Sequence, residues 1–148
     1  MTQPPLPPAL EFLQQLWQVN HALERLSSRM EKSIGVTGQQ RLIIRCVGRQ
    51  PGLLAGHLAQ LLHLDRGTVS ATVKRLEAKK LISRRSDPSD GRRVSLQLTA
   101  KGKALDRPRK GTAEHAVDAM MRTQPAAQIE ATRAVLLELA QRLIAEMA

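Results

Sequence analysis

Between Leu64 and Thr99 the apolar residues change period, and few folds accommodate that change over so short a stretch. Val69, Val73 and Leu76 recur at the spacing of one helix face, whereas Val94, Leu96 and Leu98 alternate with Arg93, Ser95 and Gln97 as in a half-buried strand. Between the strand-like "LISRR" and this second strand lies "SDPSDG", whose residues favour tight turns. A helix followed at once by a two-stranded hairpin is expected. Asp65 sits where the helix needs an N-cap, with Leu64 before it and Val69 at the fourth helical position, the arrangement of a hydrophobic staple.

The preceding "LLAGHLAQLLH" reads as a short helix with Leu54, Leu58, Leu61 and Leu62 facing inward. Two helices joined by a turn of about three residues make a helix-turn-helix, and the hairpin behind it is then a wing. Upstream, a proline-rich arm leads into a first helix carrying Leu13, Leu16, Trp17, Leu23, Leu26 and Met30 at helical spacing. Thr37 and Gln40 form the pattern of a capping box for a second helix, whose buried side is expected at Leu42, Ile43, Cys46 and Val47 and whose end is "QPG". From Thr99 the chain turns helical again, with an interruption expected at Pro108 and Gly111. Pro125 suits the first residue of a last helix, in which Ile129, Leu136, Leu139, Leu143 and Met147 form a seam.

The fold class is therefore mainly α with a small β-hairpin wing (α+β). With 148 residues and no repeat, the chain is read as one domain, large enough for a core without disulfides or metals. Residues 37–105 would form the winged helix-turn-helix lobe. The amphipathic helices over 9–34 and 112–148 would be dimerisation helices, since a second copy could cover them.

Charge narrows the partners. Of the 23 Lys and Arg residues 14 lie between Arg66 and Lys110, with only 4 of the 13 Asp and Glu, so this stretch holds the whole net charge of +10. A concentrated positive field attracts polyanions, and neutralising phosphates releases condensed counterions. On a helix with Val69, Val73 and Leu76 buried, the opposite arc holds Gly67, Ala71, Lys74 and Ala78, flanked by Thr68, Ser70 and Arg75. Small residues let the backbone approach a groove, and the hydroxyls and cations suit phosphates and base edges, with Arg66 placed for guanine. Free amides at the helix N-terminus would add to phosphate binding. In the wing, Arg92 and Arg93 lie where an arginine can enter a minor groove, whereas Arg84 and Arg85 solvate the strand or touch backbone.

Other chemistries find little support. No Gly-rich phosphate loop, nucleophile elbow or zincin motif occurs, so no enzyme and no cofactor are expected. His21, His57, His63 and His115 lack compact ligand spacing, and no metal site is expected. Cys46 is read as a buried inert thiol, and Phe12 and Trp17 as core or dimer-seam residues. One cysteine fits a reducing cytoplasm, and neither a signal peptide nor a membrane span is expected. Two alternatives stay open: a non-specific nucleic-acid architectural protein, and a winged-helix module that docks proteins.

From about Gly52 to Leu105 the chain resembles the MarR family of bacterial winged helix-turn-helix transcription factors. The resemblance is carried by "HLAQLLHLDRGTVSATVKRLEAKKLI" and "RRSDPSDGRRVSLQLTAKGKAL", with "D-x-R" at Asp90 to Arg92, then Leu98, Thr99 and Gly102. It implies a homodimer with interlocking first and last helices, whose recognition helices enter successive major grooves of a palindromic operator. It also implies that Arg92 inserts into the minor groove, oriented by an ion pair with Asp90, and that the protein is a repressor relieved by a small-molecule effector. His63 departs from the glycine common at that turn, and Pro108 and Gly111 break the helix that usually links the two lobes.

Overall fold

A computed structural model describes all 148 residues. In chain order the elements are α1 (Pro8–Ile34), α2 (Gly38–Arg49), β1 (Leu53–Leu54), α3 (Ala55–Leu62), α4 (Arg66–Ala78), β2 (Ile82–Ser86), β3 (Val94–Leu98), α5 (Ala100–Leu105), α6 (Ala113–Met121) and α7 (Ala126–Ala145). They fall into two compact units, Met1–Thr112 and Ala113–Ala148.

Local chemistry explains most boundaries in the first unit. Pro8 stands in the first turn of α1, and Gly35 ends the helix in the left-handed region, its amide bonded to Glu31 O. Thr37 and Gln40 close the expected capping box: Gln40 N donates to Thr37 Oγ1 and Thr37 N donates to Gln40 Oε1, both at 3.2 Å. Asp65 caps α4 by accepting from Thr68 N at 2.7 Å, and Thr99 caps α5 by accepting from Gly102 N at 3.0 Å. His63 adopts φ 52, the positive angle that the turn demands and that histidine tolerates better than most residues. Lys80, just past the end of α4, takes the same region at φ 60.

The wing is part of a three-stranded antiparallel sheet ordered β1-β3-β2. Leu53 pairs with Leu96, and Ile82 with Leu98. Of the alternating residues on β3, Leu96 is fully buried while Val94 and Leu98 are half-buried against the core. That core joins Ile43, Ile44 and Val47 of α2 to Leu58 of α3, to Val69, Val73 and Leu76 of α4, and to Leu53, Leu81, Ile82 and Leu96 around the sheet. The backbone of α5 lies close against the chain before β2, where a Cβ on Gly102 would meet Leu81 O at 2.1 Å.

Several expectations need correction. Leu54 and its neighbour belong to a strand, because Gly52 at φ +84 turns the chain so that its amide reaches Leu96 O. Leu42 is 48% exposed because Ile44 takes the buried place on α2. Leu61 is 58% exposed, since α3 buries the arc of Leu58 and Ala59 instead. Cys46 is half-buried, not fully so. Pro125 is the N-cap of α7, one place before the helix.

The helix starting at Ala100 stops at Leu105, and the next begins at Ala113, with Gly111 at φ +79 between them. This is the interruption expected at Pro108 and Gly111. In the second unit neither α6 nor α7 has a fully buried residue, and Leu136, Leu143 and Met147 of the expected seam are exposed. In the first unit α1 buries only Met30, leaving Phe12 and Trp17 outside the core.

Replacing Ile43 by Ala should cost about 2–5 kcal/mol of stability, because it leaves a cavity in a fully packed core. Leu42→Ala should cost less than about 1 kcal/mol. Urea unfolding at one fixed protein concentration checks the contrast, and equal costs would contradict the core assignment.

Candidate nucleic-acid interface

Helix α4 presents its two sides as its sequence period requires. Val69, Thr72, Val73 and Leu76 are buried, while Arg66, Gly67, Ser70, Ala71, Lys74, Arg75 and Ala78 are exposed. Thr68 is half-buried and its hydroxyl is engaged, donating to Asp65 Oδ2 at 2.6 Å. Thr72, unremarked in the sequence reading, donates to Thr68 O and closes the inner side of the first turns.

Asp65 also changes the account of the helix N-terminus. Its carboxylate already accepts from Thr68 N, so that amide is not free for a phosphate. The hydrogen bond from the Thr68 hydroxyl, then the one from the Thr68 amide, holds the Asp65 carboxyl below the usual carboxylate range. The exposed positive charge of α4 is thus carried by the side chains of Arg66, Lys74 and Arg75.

The wing loop over residues 87–93 is closed by its own hydrogen bonds. Asp87 N donates to Arg93 O at 2.9 Å, and Arg93 N donates to Asp90 O at 3.0 Å. The Asp87 carboxylate accepts from Ser89 Oγ at 2.7 Å and from Ser89 N at 2.9 Å. These two bonds, hydroxyl first, lower the Asp87 pKa, and the nearby Arg93 charge adds to them. Asp90 accepts from the backbone N–H of Arg92 at 3.0 Å. The ion pair between Asp90 and the Arg92 guanidinium that the resemblance implied is not formed: Asp90 braces the backbone beneath Arg92 and leaves the side chain free.

A concave surface of about 460 Å³ opens between α3, α4 and the wing. Arg66 and Ser70 of α4, Arg84 of β2, and Arg92 and Arg93 of the wing line it, as do His57 and Gln60 of α3. Four arginines and no carboxylate line this cleft. Arg84 alone of the four is neutralised, its Nε lying 2.9 Å from Glu77 Oε2. Arg66, Lys74, Arg75, Arg85, Arg92 and Arg93 make no ion pair within the chain.

From the sequence, His57 was weighed only as a metal ligand and Gln60 went unremarked, because α3 looked like packing alone; their polarity on an otherwise apolar helix was the available signal. Lys79 was missed too: its Nζ donates to Gly35 O and Gln40 Oε1, both at 2.9 Å, tying the end of α4 to the junction of α1 and α2. The four histidines and Cys46 do not gather, and no group of three or more His, Cys, Asp or Glu side chains is placed to hold a metal. Burial pushes the Cys46 thiol pKa up, which disfavours the reactive thiolate.

A helix-turn-helix backed by a three-stranded wing, with unpaired cations along the exposed side of its second helix, defines a winged helix-turn-helix protein. Residues 34–93 match the MarR family model, and over that stretch the chain is similar to that family. The transcriptional regulator TtmR of Methylorubrum extorquens is 34% identical over 85 residues, which cover 57% of this chain and 44% of TtmR. The chain spans about half the length of the curated relatives it matches. Staphylococcus aureus MepR, solved with DNA, superposes with a TM-score of 0.72 over 89% of this chain and 97% of its own, at 22% identity. PcaV of Streptomyces coelicolor, solved with its natural ligand, gives 0.66 at 25% identity, with both chains covered in full.

The depressed Asp65 pKa fixes the sign of a pH effect. A carboxyl whose folded pKa lies below its unfolded value stabilises the fold above the unfolded value, about 3.9 for aspartate, and loses that effect as pH falls through the folded value. Protection of the Thr68 amide against hydrogen exchange should therefore persist below the usual aspartate range and then fall in stronger acid. Loss of protection already near pH 5 would contradict the capping role.

Proposed function

We propose that the chain is a sequence-specific regulator of transcription that binds duplex DNA as a homodimer, with α4 in the major groove and Arg92 in the adjacent minor groove. The cleft lined by four arginines and no carboxylate carries this reading. Its shape and charge suit a phosphate-rich partner, and MepR, of the same fold, was solved in complex with DNA. In this assignment Arg66, Ser70, Lys74 and Arg75 contact bases or phosphates, with Gly67 and Ala71 permitting close approach. Thr68, its hydroxyl already bonded, contributes mainly to the cap. Arg85 and Arg93 meet backbone phosphates, and Asp90 holds the backbone that presents Arg92.

Residues 37–105 act as the DNA-binding lobe, and 9–34 and 112–148 as dimerisation helices. Exposed apolar residues support the latter: Leu10, Trp17 and Leu23 on α1, and separately Leu136, Leu143 and Ile144 on α7. Large apolar surfaces of this kind mark protein interfaces. Two copies related by a twofold axis match a palindromic operator. The regulatory mode is repression relieved by a small-molecule effector, in a cytoplasmic setting; PcaV, solved with its natural ligand, supports an effector. No helix is long and apolar enough to cross a membrane.

Arg92→Ala should lower affinity for a selected duplex by about tenfold, with the loss dependent on A·T content at the wing contact. Lys74→Ala should weaken all sequences similarly and reduce the salt slope by about one. Arg84→Ala should leave the slope nearly unchanged, because Glu77 already neutralises that charge. Fluorescence anisotropy across a salt series reads all three. Unchanged affinity in Arg92→Ala would overturn the wing assignment, and equal binding of random and selected duplexes would favour a non-specific architectural protein.

A further inference from the structure

The side of α2 that carries Arg41, Arg45 and Gly48 holds the start of the segment leading into the second unit. These residues are spaced i, i+4 and i+7 and so share one face. Arg41 is only 2% exposed, and its guanidinium donates to the main-chain oxygens of Leu105 and Arg107. Arg45 Nη1 lies 2.7 Å from Asp106 Oδ1. Gly48 completes the seat, for a Cβ there would fall 1.9 Å from Asp106 Oδ2. Asp106 is the only carboxylate between Asp90 and Glu114, in a stretch otherwise rich in cations.

The pieces differ in how readily they part. Arg41 is buried, so withdrawing it would strand a charge and two carbonyl groups away from water. The Arg45–Asp106 pair is partly exposed, with side chains 32% and 20% accessible, so water can replace its partners at modest cost. Across α2, Ile43, Ile44 and Val47 pack in the same core as Val69, Val73 and Leu76 of the reading helix. One rigid helix thus touches the connector on one side and α4 on the other.

We infer that Arg45, Gly48 and Asp106 form a releasable latch that positions α2, and through it the DNA-reading helix, according to whether the connector over residues 106–112 is seated. Arg45 and Asp106 are positioning residues: they reach DNA only through α2 and α4. The latch stands on the contacts above, while its effect on affinity rests on the proposed DNA binding.

Two substitutions open the latch by different means. Asp106→Asn removes the charge and leaves the space, whereas Gly48→Ala keeps both charges and fills the seat. In the full chain, hydrogen exchange of a peptide spanning residues 103–112 should quicken by about fivefold or more in both variants, and affinity for the selected duplex should fall by about the same factor. Far-ultraviolet circular dichroism should remain that of the parent protein. Arg92→Ala serves as the contrast, losing affinity while connector exchange stays at the parental rate.

Unchanged exchange in both variants overturns the latch. Quickened exchange with parental affinity overturns the coupling to α4, provided that Arg92→Ala loses DNA in the same assay. If Arg92→Ala also keeps its affinity, the DNA-binding reading is what fails, and the coupling falls with it while exchange still decides the latch.

Discussion

Burial of Val69, Val73 and Leu76 against Ile43, Ile44 and Val47 is the contact on which the rest depends. It sets the roll of α4, so Arg66, Ser70, Lys74 and Arg75 are exposed by geometry and not by chance. Leu96 and Ile82 extend the same core beneath the sheet, so helix and wing hang from one apolar mass. Close packing in such a core resists changes in the angle between them. The cleft where Arg66 meets Arg92 and Arg93 follows from this shared attachment.

Charge acts on top of that frame. Like charges brought together in one cleft repel, and of its four arginines only Arg84 is offset by an ion pair, with Glu77. The two wing aspartates turn inward: Asp87 binds Ser89, and Asp90 binds the Arg92 amide. Both carboxylates stiffen the loop without cancelling its arginines by direct pairing. Such an arrangement leaves repulsion that an arriving polyanion relieves, which favours binding over a closed, self-neutralised surface.

Period and capping made much of this legible in advance. The switch from helical to alternating spacing after Lys80, the Thr37–Gln40 box and the Asp65 cap are local effects, and each appears in the structure as expected. Long-range effects were hidden. A two-residue strand has no period, so β1 was absorbed into a helix; it exists because Gly52 turns the chain onto Leu96. No local pattern marks Arg41 and Arg45, since their partners lie more than sixty residues away. The solitary Asp106 among cations was the one clue to their role.

Selection of bound duplexes from a random pool by the full chain, at physiological salt, tests the central claim most directly. Two copies reading DNA through α4 should enrich a twofold-symmetric pattern with half-sites about one helical turn apart, bound roughly a thousandfold more tightly than unselected duplex. A pool that emerges without enrichment, or with a single unpaired half-site, would contradict the account.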